Sequence, residues 1–307
     1  MAVPAATVEQ LVDWEVPEQQ IGLWSDAFQR FRRNRIALLG AVLIAVLVVI
    51  ALTCPLLVQL HLIRDPLQQN VDFIESGPGQ NGFLIGSDEL GRDTFARLLF
   101  GSRVSLAVGI FVQAIILPIG LAIGLAAGYF GGVVDGVVMR LTDLVFAFPA
   151  IILAMVVTAS LGPSIRNAVL ALVFVSWPTY ARVVRGLVLA TADSEYVQAS
   201  RLLGTSARSA LFRVVLPNVI GPVIVLATLD LGNAILLLSG LSFLGLGAQP
   251  PAPEWGQMVS QGTENFQYWW LSTFPGLAIF TAVLAFNFVG DSLRDVFDPR
   301  TSGGGRV

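Results

Sequence analysis

Five stretches of the chain carry no charged side chain: residues 36–63, 104–134, 144–165, 231–253 and 265–290. Each is mostly apolar and reaches the roughly 20 residues that cross a bilayer core. With the apolar positions on either side of a polar stretch at 189–215, they predict six helices, over 36–57, 98–128, 135–161, 166–188, 217–239 and 271–289. Gly131–Gly132 and Gly162–Pro163 mark breaks, Pro149 falls within the third helix, and Pro55 is placed to bend the outer end of the first. Pro217 suits a first helical turn, where its missing N–H costs nothing. Segment 240–264 holds Gly245, Gly247, Pro250, Pro251 and Pro253. Non-helical backbone at a membrane edge survives only where protein buries it or a cavity borders it, so this piece reads as an outer gate or as a plain turn.

Composition closes off other classes. Of 307 residues, 55% are hydrophobic and 13% charged, against about 25% charged in soluble domains. A soluble enzyme or nucleic-acid binder could not hide so much apolar surface. All 18 basic residues are arginine. Without lysine the chain can form neither a Walker A phosphate loop nor a pyridoxal Schiff base. One cysteine, Cys54, excludes an internal disulfide and a multi-thiolate metal site. The single histidine, His61, ends the first run at the water interface, so no serine–histidine dyad lies deep in the membrane. Residues 1–20 are acidic and lack a basic leader region, so the first run is expected to be a retained anchor.

Six spans put both termini on one side, and the arginines choose it. With cytoplasmic termini, thirteen arginines lie inside (30, 32, 33, 35, 140, 182, 185, 201, 208, 213, 294, 300 and 306) and five outside. Tyr268, Trp269 and Trp270 then fall at the outer headgroup belt. Trp24, Phe28 and Phe31 share a face of an expected amphipathic helix over 21–35, the alternative being a solvated linker. Asp93 and Arg97, spaced i, i+4, are expected to pair on a helix surface. The organisation is therefore a cytoplasmic segment 1–35, a first span within 36–60, an extracytoplasmic segment 61–97, a five-helix core 98–293 and a cytoplasmic tail 294–307.

The polar stretch 189–215 reads as two short helices reversing at Gly204, with Tyr196, Ala199 and Leu203 on one face. Two spans presenting such a pair to the cytoplasm make a handle for another protein, or else a loop with incidental helix. Within it, Gln198-Ala199-Ser200 is followed after three residues by Gly204 and after nine more by Val214-Val215-Leu216-Pro217. This resembles the Glu-Ala-Ala, Gly, Ile-x-Leu-Pro motif of binding-protein-dependent ABC importer permeases. Gln198 departs from it by replacing the acid; Glu195, one turn earlier, is a substitute charge. Elsewhere Gly86-Ser87-Asp88-Glu89-Leu90-Gly91-Arg92-Asp93, Trp177-Pro178-Thr179-Tyr180-Ala181-Arg182, Leu241-Ser242-Phe243-Leu244-Gly245 and Gly290-Asp291-Ser292-Leu293-Arg294-Asp295 are similar to the C-type subunits of the dipeptide, oligopeptide and nickel branch. The similarity covers about residues 30–300.

That resemblance implies an all-α integral membrane fold with the type I ABC importer, MetI-like core. It implies a second permease chain, two ATPase subunits inside and a substrate-binding protein outside. ATP and Mg would sit on the ATPases, and no cofactor on this chain. Coupling helices at 194–215 would seat in an ATPase groove through Glu195, Tyr196, Gln198, Ala199, Ser200, Arg201, Leu203, Gly204, Thr205, Arg208 and Leu211. Candidate pathway or gate residues are Asp230, Asn233, Phe243 and Leu244. Asp230 lies 13 residues after Pro217, about 20 Å into a core of about 30 Å, and faces either the pathway or a polar neighbour such as Asn233. Di- or oligopeptides are the expected cargo; nickel chelates, glutathione or short saccharides are alternatives. A secondary transporter is the distant one, since no internal repeat is visible. The expected location is a bacterial or archaeal cytoplasmic membrane, with membrane lipid but no nucleic acid as a partner.

Overall fold

The computed structural model describes residues 31–192, 194, 197, 206–264 and 266–297. The expected amphipathic helix over 21–35 lies mostly outside them. Asn34 opens the first long helix, α1 (Arg35–Gln59), by accepting from the N–H groups of Ile36 and Ala37 at 2.9 and 3.3 Å. α2 (Thr94–Phe130) is capped by Asp93, which accepts from the Phe95 N–H at 2.9 Å. That corrects the expected Asp93–Arg97 pair. The orphan amides of a helix start claim the Asp93 carboxylate, and Arg97 turns inward to Asp88, 3.3 Å away.

The third expected helix is two. α3 (Gly132–Phe146) and α4 (Ala150–Leu161) meet at 87°. Pro149 lacks an N–H and disfavours helical backbone in the residue before it, so the chain breaks where one straight span was expected. At the other end of α3, Gly131 and Gly132 both have positive φ, +63° and +55°, a reversal that a Cβ would resist. α5 (Ile165–Ala192) follows. Past the polar stretch, α6 (Ala207–Ala210) continues through a π turn, Leu211–Val215, into α7 (Leu216–Phe243) without interruption. The second short helix was expected to end before Leu216. Instead the turn widens so that the Leu216 N–H reaches the Leu211 carbonyl, five residues back, which makes room for the Pro217 ring. Asn218 Nδ2 donates to the freed Val214 carbonyl at 2.6 Å. α8 (Trp255–Thr263) and α9 (Trp270–Phe297) complete the order. Five helices are long and apolar enough to cross a membrane, and the bent α3–α4 pair makes a sixth span if counted as one. No β-strand occurs among the described residues.

The tightest seam joins α2 to α5. Gly120, Gly124 and Gly128 repeat every four residues, and so do their partners Tyr180, Val184 and Val188. A Cβ on these glycines would lie 2.2, 2.6 and 2.8 Å from the partners' Cβ atoms. Small residues at this spacing let membrane helices approach to backbone contact. Val112, Ile116, Leu172, Val175, Val219 and Leu238 fill the main core beside the seam, and Trp255, Ile235 and Phe286 a second one.

A clamp of buried polar groups closes the end where α2 starts. Asp88 takes Arg92 Nε at 2.7 Å and Arg97 Nε at 3.3 Å, all three residues being at most 4% exposed. Arg97 Nη1 also donates to the carbonyls of Pro66 and Pro251 at 3.4 Å, joining segments far apart in sequence. Glu254, fully buried, accepts from Ser105 Oγ at 3.2 Å and from the Gln257 N–H at 3.0 Å. Burial pushes its carboxyl above the ordinary carboxylate range, opposed by the Gly256 and Gln257 amides and the Ser242 and Ser105 hydroxyls. Trp269 is 52% exposed, as a headgroup-belt residue should be, but Trp270 is only 7% exposed. Its Nε1–H donates to the Ser87 carbonyl at 3.3 Å. A buried indole needs such a partner, so Trp270 pins the clamp rather than joining the belt.

Gly124→Val should lower the melting temperature of the detergent-purified chain, by the roughly 1–3 kcal/mol of an overpacked core. Gly136→Val, with open space around it, should leave it unchanged. Asp88→Asn should be more damaging, because it strands two buried guanidiniums, and breaking a buried pair costs about 3–5 kcal/mol. Asp72→Asn, at an exposed position, is the control in the same melting measurement.

Candidate translocation site

A cavity of about 370 Å³ lies at the right-angle break after Phe146, walled by α2, α5 and α7. α2 contributes Gln113 to its wall, the break Phe146 and Phe148, α5 Ser176 and Thr179, and α7 Asp230 and Asn233. Asn233 Nδ2 donates to Asp230 Oδ1 at 3.1 Å. The Tyr180 hydroxyl receives a bond from Gln113 Nε2 and lies within electrostatic reach of Asp230. Two bonded pairs, Gln113–Tyr180 and Asp230–Asn233, thus face each other, and Gln113, Asp230 and Asn233 line the space. A carboxylate at the centre of a membrane helix costs roughly 2.5–3.5 kcal/mol on insertion scales. Here the Asn233 amide offsets part of that while the acid stays open to the cavity. The structure thus brings Asp230 and Asn233 together, and the polar neighbour named as an alternative to a pathway is present within the cavity itself.

Phe243 and Leu244 are elsewhere. They end α7, 40% and 48% exposed, and the Phe243 carbonyl accepts from Ser260 Oγ at 2.8 Å. They do not border the cavity that Asp230 lines.

Sequence reasoning missed two ion pairs beside the cavity. Arg182 Nη2 pairs with Asp143 Oδ1 and donates to Thr142 Oγ1 at 3.3 Å, with its guanidinium carbon 4.5 Å from the centre of the Phe146 ring. One turn on, Arg185 grips Asp135 with two bonds of 2.7 and 2.6 Å. In the sequence these arginines read only as topology markers. The available signal was a pair of acids in α3 facing a pair of arginines in α5, across a break that composition alone did not reveal.

Of the expected coupling residues, Glu195, Tyr196, Gln198, Ala199, Ser200, Arg201, Leu203, Gly204 and Thr205 lie outside the described residues. Arg208 falls in α6, and its side chain too is outside the description. Leu211 is buried, 7% exposed, in the main core with Val215 and Val197. Val197, itself within the polar stretch, is fully buried. Val197 and Leu211 thus both belong to the main core. Among the described residues no group of three or more His, Cys, Asp or Glu side chains could hold a metal.

Comparison with known proteins agrees with this geometry. Residues 120–303 match the family model of the binding-protein-dependent transport system inner membrane component. Residues 22–78 match that of the N-terminal TM domain of oligopeptide transport permease C. The chain is 46% identical over 276 residues to the dipeptide transport system permease protein DppC of Escherichia coli K12, covering 88% of this chain and 91% of that one. It is 41% identical to the di/tripeptide transport system permease protein DppC of Pseudomonas aeruginosa, over 89% and 91% of the two chains. It is 39% identical to the glutathione transport system permease protein GsiD of an E. coli O6:K15:H31 strain, over 94% of each. In fold it is similar to a chain of the inward-facing MetNI methionine ABC transporter, with a TM-score of 0.52, 21% identity and coverage of 65% of this chain and 96% of that one. An all-helical multi-pass architecture, two family models and extended identity to permease subunits converge: the chain belongs to the binding-protein-dependent ABC transporter permeases, in the dipeptide and oligopeptide branch.

Proposed function

We propose that the chain is one of two permease subunits of an ATP-driven importer of di- and oligopeptides in a cytoplasmic membrane. It works with two ATPase subunits and an extracytoplasmic binding protein. The observation that carries the peptide reading is the acid-lined cavity at the helix break, in a chain 46% identical to a dipeptide permease. As a permease subunit it is not itself an enzyme, and ATP and Mg belong to the partner ATPases. Its termini and the 194–215 stretch lie in the cytoplasm, which the arginine distribution supports. The relative named for glutathione transport favours a second reading, the same machine carrying that γ-linked tripeptide.

The cycle follows from the parts. The coupling stretch hangs between the ends of α5 and α7, and the buried Val197 and Leu211 transmit its displacement into the core. Drawing two such stretches together, one per permease, would move the two halves between outward- and inward-facing states, as alternating access requires. Asp230 borders the path, where its negative charge meets a passing ammonium group. Uptake of a labelled dipeptide into proteoliposomes holding the complete complex tests this reading. ATP-dependent accumulation is expected, and none with any peptide would refute it.

Two substitutions probe the parts. Gly204→Val should block the reversal, so that ATP hydrolysis continues while uptake falls about tenfold, a loss within the usual range of coupling between distant sites. Normal uptake with normal substrate-stimulated hydrolysis would contradict the coupling role. Asp230→Asn, in a complex that still assembles, should slow lysine-containing dipeptides relative to neutral ones by roughly fivefold, the worth of one charge contact. An equal fall for both classes would make Asp230 a packing residue.

A further inference from the structure

Arg182 stands beside the same cavity and is committed only loosely. It lies one helical turn beyond Thr179, a wall residue, toward the coupling end of α5. Its guanidinium rests on the ring of Phe146, another wall residue. Its side chain is 46% exposed and that of its partner Asp143 is 62% exposed. The bonds it gives to Asp143 and Thr142 both come from Nη2.

The neighbouring pair shows what a structural staple looks like in this place. Arg185 meets Asp135 through Nε and Nη2 at once, at 2.7 and 2.6 Å, with side chains 32% and 21% exposed. That pair suffices to hold α3 against α5. The Arg182 pair is the more exposed of the two, and it places a cation against Phe146, a wall residue of a cavity whose lining carries one charged group, the acid Asp230.

We propose that Arg182 is a specificity-determining residue that receives the substrate's free carboxylate, with Asp143 as the counter-ion it sets aside to do so. This deepens the peptide reading and rests on it. The planar guanidinium presents two parallel donors, which suit a carboxylate better than the single-nitrogen contact that Asp143 makes. Displacing Asp143 requires little, because an exposed carboxylate returns to water and exposed pairs are weak. No bond is made or broken; one acceptor replaces another. With Asp230 on the α7 wall, the cavity offers an anionic group to an α-ammonium, and Arg182 beside its Phe146 wall offers a cationic one to an α-carboxylate. The substrate class is thereby narrowed to peptides with both termini free.

The experiment is uptake by the complete transporter in proteoliposomes, with its binding protein, of one dipeptide and of its C-terminal amide. The binding protein discriminates between them too, but identically in every variant. The quantity read is therefore the acid-to-amide uptake ratio of a variant divided by that of the unmodified complex. For Arg182→Gln it should fall by roughly fivefold, the worth of one charge-assisted contact. For Asp143→Asn, which frees Arg182, it should hold or rise. Should Arg182→Gln fail to assemble, Arg182→Lys is read instead, and the ratio should fall by a smaller factor because the second donor is lost. A structural staple would slow both substrates alike, so an unmoved ratio in an assembled Arg182 variant, or equal loss of both substrates in Asp143→Asn, overturns the proposal while peptide import stands. If the unmodified complex accumulates no peptide at all, both readings fall.

Discussion

α2 approaches α5 more closely than side chains permit, and the rest of the chain is arranged around that contact. Gly120, Gly124 and Gly128 present bare backbone to Tyr180, Val184 and Val188. Two turns before Gly120 on the same face stands Gln113, and the glycine seam delivers its amide to the Tyr180 hydroxyl. Tyr180 in turn lies within electrostatic reach of Asp230 on α7. A packing constraint in three glycines thus fixes the polar pair that stands across from the acid lining the cavity. Beside the break before Pro149 the acid remains open to a cavity.

The two ends of the molecule treat charge differently. At one end Asp88, Arg92, Arg97 and Glu254 are buried, and the group is tied to the Pro66 and Pro251 carbonyls and the Gln257 amide. Buried charges of this kind tolerate no exchange of partners, since a stranded one has no water to turn to. At the other end the Arg182–Asp143 pair is largely exposed, where partners exchange at little cost. A rigid cap over a yielding base is the arrangement expected of a chain whose motion is driven from the coupling side.

Much of this was readable in the sequence, for physical reasons that can be named. Uncharged runs longer than the bilayer core located the spans, and Gly131–Gly132 marked a break. Asp230 and Asn233 could be placed because position along a helix converts directly into depth. What failed depended on choices between partners. Asp93 could pair with Arg97 or cap a helix, and backbone amides without acceptors decided it. Pro149 could be tolerated inside a span or break it, and spacing alone does not give the 87° angle. Trp270 matched a headgroup belt by type, but its N–H found the Ser87 carbonyl. Arg182 and Asp143 were invisible as a site because they come together only across that break. The carry-over of the coupling motif rested on Gly204 and Leu216-Pro217 spacing, whose geometry around Gly204 lies outside the described residues.

The central claim is that the cavity at the break is part of a water-filled path worked by ATP. Cys54, the chain's single cysteine, is fully buried, so a cysteine placed at the cavity residue Ser176 can be read against a silent background. In the assembled transporter, Ser176→Cys should react with a membrane-impermeant thiol reagent, at a rate that changes between the ATP-free and ATP-trapped states. Failure to react in either state, with the complex intact and active, would contradict the account.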